Sequence, residues 1–530
     1  MSGTGTAAPP APQSIPWYGL TAVLMGTFIS TLNGRLSTFG VADIRGALHA
    51  GFDEGAWITT AQSVGQMVIL PVAIWIGTIY GPRRILLQAA VAFGLISVLL
   101  PLAPNYHAFL TLQFASGMAS GFFIPLTIGF VVRNMPPRYL AWGVALYALN
   151  LELSLNIAAS LEAWYIDHLN WHWIFWQNVP LAGIMAACLY FGVARDPVHP
   201  DAPPPDLYGF ASGGVGLALI YAALDQGNRL DWLNSGLVGG LLLAGIVLFA
   251  AFLVHERSTD HPGTNLKVVF SGPLPRLLIL IGFLRLTLLA TAYLIPQYLQ
   301  VVRGFRSLEV GQSLMWIAVP QLLFCPLAAL MLRRTDPRVV ACIGFVFISI
   351  ASLIVAHSIT PEWGPDQFLK TQLMQAMGQS FALSGIVFYA ILNLKPEDAL
   401  TFGAGLQTAR LMGGELGLAL VVTLARVRAQ IASNHLGTHV QSGSADVIAR
   451  LHGDAGAVGR GNPNLGSVRA PDVLALAVHR ASILQGIMDT FWVLGLLAAM
   501  ALMIAVAQKP APIGPASHEP LFPRPGKATP

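Results

Sequence analysis

Apolar runs of about 20 residues recur along the 530-residue chain, separated by short turns. A run of that length is what an α-helix needs to cross the ~30 Å hydrocarbon core of a bilayer. The runs are Trp17 to Gly40, Trp57 to Tyr80, Ile85 to Pro101, His107 to Val132, Leu140 to Tyr165, Trp173 to Ala194 and Leu207 to Leu224. They continue as Leu233 to His255, Leu274 to Leu299, Gly311 to Leu332, Val339 to His357, Phe368 to Leu394, Thr401 to Val427 and Gln485 to Ala507. Fourteen spans are therefore expected, with both termini on one side. Two turns resemble each other, Gly81-Pro82-Arg83-Arg84 and Arg333-Arg334-Thr335-Asp336-Pro337-Arg338. They fall at equivalent places if two six-helix halves are joined by two extra helices.

That division predicts an all-α polytopic membrane protein: a tail at 1–16, an N-terminal bundle at 17–194, two linking helices at 207–255, a C-terminal bundle at 274–507 with an extramembrane loop at 428–484, and a tail at 508–530. Parallel halves of this kind place a solute site between them near the midplane.

Polar residues inside the runs locate the chemistry. From Arg138 to Pro180 an apolar stretch is interrupted by Asn150, Glu152, Asn156 and Glu162 and ends in a Trp-rich cluster with the character of an interfacial aromatic belt. Lipid cannot solvate carboxylates, so these groups must face protein or a watery cavity, and a solute pathway is the first expectation. Glu152 and Asn156 stand at i and i+4 on one face, with Glu162 toward the outer end of the same stripe. Arg35, Arg285, Arg410 and Glu415 also fall within spans. A pair between Arg35 and Glu152 or Glu162 is expected if the first and fifth helices are neighbours. The blander readings are that Arg35 snorkels or locks a neighbouring carbonyl, that Glu162 reaches outer water, that Arg285 satisfies helix-end carbonyls, and that Arg410 serves packing or gating.

Composition and charge refine this picture. The chain is 55% hydrophobic and 10% charged, against roughly 25% charged in a soluble domain. The net charge of +4 sits in short loops that set orientation and does not indicate nucleic acid. Arg83, Arg84, Arg133, Arg138, Arg195, Arg257, Lys267, Arg276, Arg333, Arg334, Arg338 and Lys395 share the side of the termini, which is expected to be cytoplasmic; Arg303 and Arg306 lie opposite. Cys188, Cys325 and Cys342 have no metal-ligand spacing. The first 16 residues lack a basic segment and a cleavage site, so the first run is expected to be retained. With no phosphate loop, catalytic triad or metal cluster, the reading is no enzyme, no cofactor and no metal, with transport driven by an ion gradient.

Several ordered segments carry a family resemblance. Trp171-His172-Trp173-Ile174-Phe175-Trp176-Gln177-Asn178-Val179-Pro180 looks like W-R-W-I-F-x-x-N-V-P. Pro71 with Gly81 and Arg83-Arg84, Ile124-Pro125-Leu126, Pro296-Gln297-Tyr298-Leu299-Gln300 and Arg410-Leu411-Met412-Gly413-Gly414 add to it. The chain resembles the fourteen-helix drug:proton antiporters of the major facilitator superfamily, the EmrB/QacA-like group, over nearly its whole length. The resemblance implies that fold, with Gly81, Arg83 and Arg84 as a gating loop, and an inner-membrane multidrug exporter coupled to protons.

The chain departs from the group at several positions. Asn33 stands where the group's first helix carries an Asp, Gln113 where the fourth carries an Arg, and Thr78 where the helix-two loop carries an Asp. Ala158-Ala159-Ser160-Leu161-Glu162-Ala163 replaces G-P-x-x-G-G. Glu152 and its neighbours are then the replacement coupling groups. The exported solute is expected to be a small amphipathic or anionic compound. Symport or uniport uptake, or a non-transporting receptor or scaffold, are the alternatives.

Gly117, Gly121, Gly413, Gly414 and Gly417 suggest close helix contacts. Phe122, Phe123, Trp142, Tyr147, Phe283, Tyr293, Trp316 and Phe324 are candidates for an aromatic cavity or for plain packing. The segment from Arg428 to His479 reads as flexible, with short helical stretches such as Ala445 to Leu451. It would be either a contact for a periplasmic membrane-fusion adaptor and, through it, an outer-membrane channel, or a spacer.

Overall fold

The computed structural model describes residues 17–136, 139–193, 204–259, 263–264, 266–395, 398–440, 444–458 and 463–511. The tail at 1–16, most of the tail at 508–530, Arg138 and Arg195 lie outside the described residues, as does the side chain of Arg133. Fourteen long helices follow the apolar runs: α1 Trp17–Phe39, α2 Trp57–Tyr80, α3 Pro82–Leu99, α4 Tyr106–Val132, α5 Leu140–His168, α6 Asn178–Gly192 and α7 Leu207–Gly227, then α8 Gly236–Ser258, α9 Leu274–Gln297, α10 Ser307–Leu332, α11 Pro337–Ser358, α12 Leu369–Leu392, α13 Ala399–His439 and α14 Pro463–Val506. Among the described residues, thirteen helices are long and apolar enough to cross a membrane. α1 is not one of them. Its 23 residues suffice in length, but Thr27, Ser30, Thr31, Asn33 and Ser37 make it polar, and all five are buried against protein.

Local chemistry fixes the helix ends. Asn105, Asp206 and Asp336 cap α4, α7 and α11 by accepting from the backbone N–H of Ala108, Gly209 and Arg338, each at 2.9 Å. α4 breaks at Phe122, between Gly121 and Phe123. After Pro296 the last turns of α9 relax into a π-helix over Tyr298–Arg303, which ends on Gly304 at φ 75°.

Small residues let helices touch backbone to backbone. A Cβ on Gly117 would lie 2.0 Å from the Gln62 carbonyl oxygen, and one on Gly413 would lie 2.6 Å from that of Gly282. The α2–α4 and α9–α13 contacts are thereby built on glycine, as expected for Gly117 and Gly413.

The helices form two six-membered bundles, α1–α6 and α9–α14. Between them α5 packs on α10 and α12, while α13 packs on α2 and α4. The second set of contacts repeats the first with the halves exchanged. α7 packs against both α2 and α13, and α8 packs on α7. In the most apolar 18 residues of α8 only 17% are buried, against 61% in α7. α7 is thus an inner wall and α8 an outer sheath.

The segment 428–484 differs from the flexible loop expected. α13 and α14 run 41 and 44 residues, which at 1.5 Å per residue is about 60 Å and far exceeds a ~30 Å bilayer core. Arg428 at the end of the α13 span pairs with Asp489 on α14 at 2.6 Å, and a helix at Ala445–Val458 packs on α14. The Gly- and Asn-rich stretch at 459–462, on which the expectation of flexibility chiefly rests, lies outside the described residues; the chain is helical on either side of it.

Candidate solute-binding chamber

The α2–α3 turn, with Arg83 and Arg84, and the α10–α11 turn, with Arg333 and Arg334, mark a basic end of the molecule, and there the halves are in contact. Leu400 at the start of α13 sits against Gly77 and Gly129, and a Cβ on Gly403 would lie 2.7 Å from the Pro125 carbonyl oxygen. Gly81, at φ 79° and ψ 150°, makes the tight α2–α3 turn at that end. Arg83 there donates to the backbone carbonyls of Leu189 and Tyr190 at 3.1 and 2.9 Å, fastening α3 to the end of α6. Arg84 lies over the Tyr80 ring.

Toward the opposite end the halves part around a chamber of about 150 Å³. Its walls come from α1, α2, α4, α7, α9 and α13, and three guanidinium groups line it: Arg35, Arg285 and Arg410. A helical position can carry such a group only where protein or water surrounds it, and each arginine faces this interior for that reason.

Arg285 on α9 meets Glu152 on α5, Nη1 to Oε1 3.5 Å, with both side chains almost wholly buried. Arg410 donates to Gln407 Oε1 at 2.6 Å and, across the two halves, to Thr31 Oγ1 at 3.4 Å. These two contacts, α5 to α9 and α13 to α1, are counterparts under the exchange of halves. Arg35 is partly buried, lies over the Phe39 ring at 4.9 Å, and has no carboxylate partner among the described residues.

The expected pairing of Arg35 with Glu152 or Glu162 is therefore not formed. The carboxylate of Glu152 points to the other half, and Glu162 lies at the outer end of α5 beside Gly40. Asn33 and Gln113 also face away from the chamber. Asn33 accepts from Asn178 on α6 at 2.7 Å, and Gln113 donates to Ser37 at 3.3 Å. Both tie helices of the N-terminal half together. Identical spans in sequence do not reveal which face turns inward when the polar residues stand all round the helix, as they do on α1. None of the eight aromatic candidates lines the chamber.

Asn156 behaves as a link between halves. Its amide donates to Gln379 at 3.2 Å and Gln321 at 3.5 Å, and Gln321 donates to Gln379 at 2.9 Å. The counterpart link joins Gln407 to Gln66 at 3.2 Å. Neutral hydrogen bonds of this kind contribute about 1 kcal/mol each, so the midplane seam is held by many small and exchangeable contacts.

The accessory helix α7 supplies chamber residues that the sequence reading did not single out. Tyr221 lines the chamber wall with Glu415 and Ser63, and Asp225 accepts from Thr60 and from Gln226. The apolar run ends at Leu224, whereas the helix continues to Gly227 and carries Asp225 with it. A charged residue one position beyond a run was the available signal. The glutamine stripe Gln372, Gln375 and Gln379, at helical spacing on one buried face, was another.

The chamber between two exchange-related helical bundles defines a secondary-transporter architecture. A family model described as Major Facilitator Superfamily matches residues 23–418, and the chain belongs to that superfamily of membrane transporters. Among curated proteins it is 24% identical over 429 residues to the probable multidrug resistance protein EmrY of Escherichia coli strain K12, covering 79% of this chain and 82% of the relative. The multidrug export protein EmrB of Haemophilus influenzae is 22% identical, with the same shares covered. The fatty acid resistance protein FarB of Neisseria gonorrhoeae is 22% identical, covering 82% of this chain and 85% of that one. Among solved structures, the human organic anion transporter MFSD10 aligns with TM-score 0.57 at 14% identity, covering 94% of this chain and all of that one. The proton:xylose symporter XylE aligns with TM-score 0.56 at 11% identity, covering 92% and 94%. These two likenesses concern the fold.

Proposed function

We propose that the protein is a multidrug-type exporter of the inner membrane, moving small amphipathic compounds, with acidic ones preferred, against their gradient by proton-driven alternating access. The observation that carries this reading is the chamber, where, among the described residues, Arg35 and Arg410 form no ion pair while Glu152 sits beside Arg285; Glu415 and Asp225 also line its wall. A buried guanidinium without a counter-charge favours an incoming anion. Glu152, its Oε2 left without a hydrogen-bond partner, is the group that exchanges the proton. Solute and proton then exclude one another: solute entering the chamber expels the proton from Glu152, and reprotonation expels the solute.

At about 150 Å³ the chamber is smaller than the roughly 300–1,000 Å³ typical of drug-sized sites. The described state is therefore a contracted one, closed at the basic end. With the basic end cytoplasmic, all fourteen helices cross the membrane, both termini are cytoplasmic, and the long α13–α14 hairpin extends into the periplasm. There it is the contact for a membrane-fusion adaptor and, through it, an outer-membrane channel. Multidrug and fatty acid resistance in the names of the relatives support export of amphipathic compounds.

The test is proton release from detergent-solubilised protein on adding a medium-chain carboxylate or an amphipathic cation such as ethidium. The carboxylate is expected to release protons from wild type and not from Glu152→Gln. Binding of either compound without proton release from wild type would remove proton coupling and leave uniport.

A further inference from the structure

The second cavity lies nearer the end opposite the basic one. It has a volume of about 490 Å³, and its walls come from α1, the residues between α1 and α2, α2 itself, α7 and the turn that follows it. No residue of α9 to α14 contributes to it. It is therefore displaced from the line between the two halves, along which the chamber would open if the bundles simply parted. The two cavities share three residues: Thr38 on α1, Thr59 on α2 and Asp225 on α7. A residue that lines both spaces stands at their junction, so these three form a neck.

Charge is arranged in steps along this line. Arg35 lies on the chamber side, Asp225 at the neck, and Arg45 and Arg229 on the vestibule side. The Asp225 carboxylate is held in place by Thr60 and Gln226, and Gln226 in turn accepts from Arg229 at 2.9 Å. Arg229 also pairs with Asp53 ahead of α2. Beyond the vestibule the α7–α8 turn is anchored to the C-terminal half, with Trp232 donating to Thr423 at 3.0 Å. The accessory helix is thus fixed to both halves.

We infer that solute passes between chamber and outside through an off-axis portal walled by α1, α2 and the accessory helix α7, and that Asp225 is its charge-selecting residue. The accessory pair is then part of the pathway rather than a spacer. An anion passing the neck meets a carboxylate between two basic steps, and a cation meets the reverse. The inference rests on the chamber being the solute site, and its test needs no knowledge of the solute.

Ser63 lies on the chamber side of the neck. A Ser63→Cys variant is labelled with anionic sulfonatoethyl and cationic trimethylammonioethyl methanethiosulfonate, on spheroplasts and on inverted vesicles, with wild type giving the baseline from the native cysteines. From the side that labels Ser63→Cys, adding Thr59→Trp is expected to abolish labelling while Thr59→Ala preserves it. Adding Asp225→Asn is expected to raise the anionic-to-cationic rate ratio by roughly tenfold, the order for one charge a few ångströms away in a partly wetted site. Thr38→Trp serves if Thr59→Trp does not reach the membrane. Equal labelling in the Trp and Ala variants, or an unchanged charge ratio in Asp225→Asn, would overturn the portal. Labelling only from inverted vesicles would instead contradict the outward orientation, with the neck test standing on that side.

Discussion

At the scale of single residues, the Arg285–Glu152 contact is where stability and function meet. Breaking a buried ion pair from one side leaves an uncompensated charge and costs about 3–5 kcal/mol, whereas replacing both partners is far milder. Arg285→Met is therefore expected to lower the thermal unfolding midpoint in detergent markedly. The double variant Arg285→Met/Glu152→Gln should recover most of that loss. Equal destabilisation in single and double variants would mean the two groups do not interact. Glu152 was legible in the sequence because a carboxylate in the middle of an apolar run has few places to go. Its partner was not, since a contact over 133 positions of sequence depends on which helices become neighbours. Arg35, on the helix expected to neighbour α5, offered the same charge but faces Phe39. Residue type marked the charged groups, and tertiary packing assigned the pairs.

At the scale of elements, the glycines that bring the halves together at the basic end carry the closed state. Gly403 on α13 abuts the Pro125 backbone, with no room for a side chain. Gly403→Val should prevent this closure and shift the protein toward a state open at the basic end. A cysteine pair placed across α4 and α13 at that end should cross-link more slowly in the variant than in wild type; an unchanged rate would show that the contact does not govern closure. Helix number and order were readable from apolar runs because bilayer thickness sets their length. Two elements run beyond their apolar stretches for physical reasons. The apolar run of α7 stops at Leu224 because hydropathy ends at the first charge, yet Asp225 is a charge that the fold turns inward. The α13–α14 extensions lie beyond the apolar runs, where apolar length no longer predicts a helix.

At the scale of the whole molecule, the seam between halves consists of weak polar links at the midplane, with a larger contact at one end and a cavity at the other. Such a seam can be rearranged by a solute and a proton, because no single contact in it is worth more than a few kcal/mol. The helical hairpin beyond the membrane has no part in it. Excising 430–483 and joining the ends with a short flexible linker should leave flux in proteoliposomes within about twofold of wild type, while resistance in intact cells should fall if, as proposed, the hairpin contacts an adaptor. Loss of flux in proteoliposomes would place the hairpin in the transport cycle itself. The most direct measurement is uptake of a labelled medium-chain carboxylate into proteoliposomes under an imposed pH gradient, with wild type beside Glu152→Gln. The account predicts gradient-driven accumulation by wild type, and in Glu152→Gln only exchange that ignores the gradient. Accumulation by Glu152→Gln equal to wild type, or wild-type flux indifferent to the gradient, would contradict it.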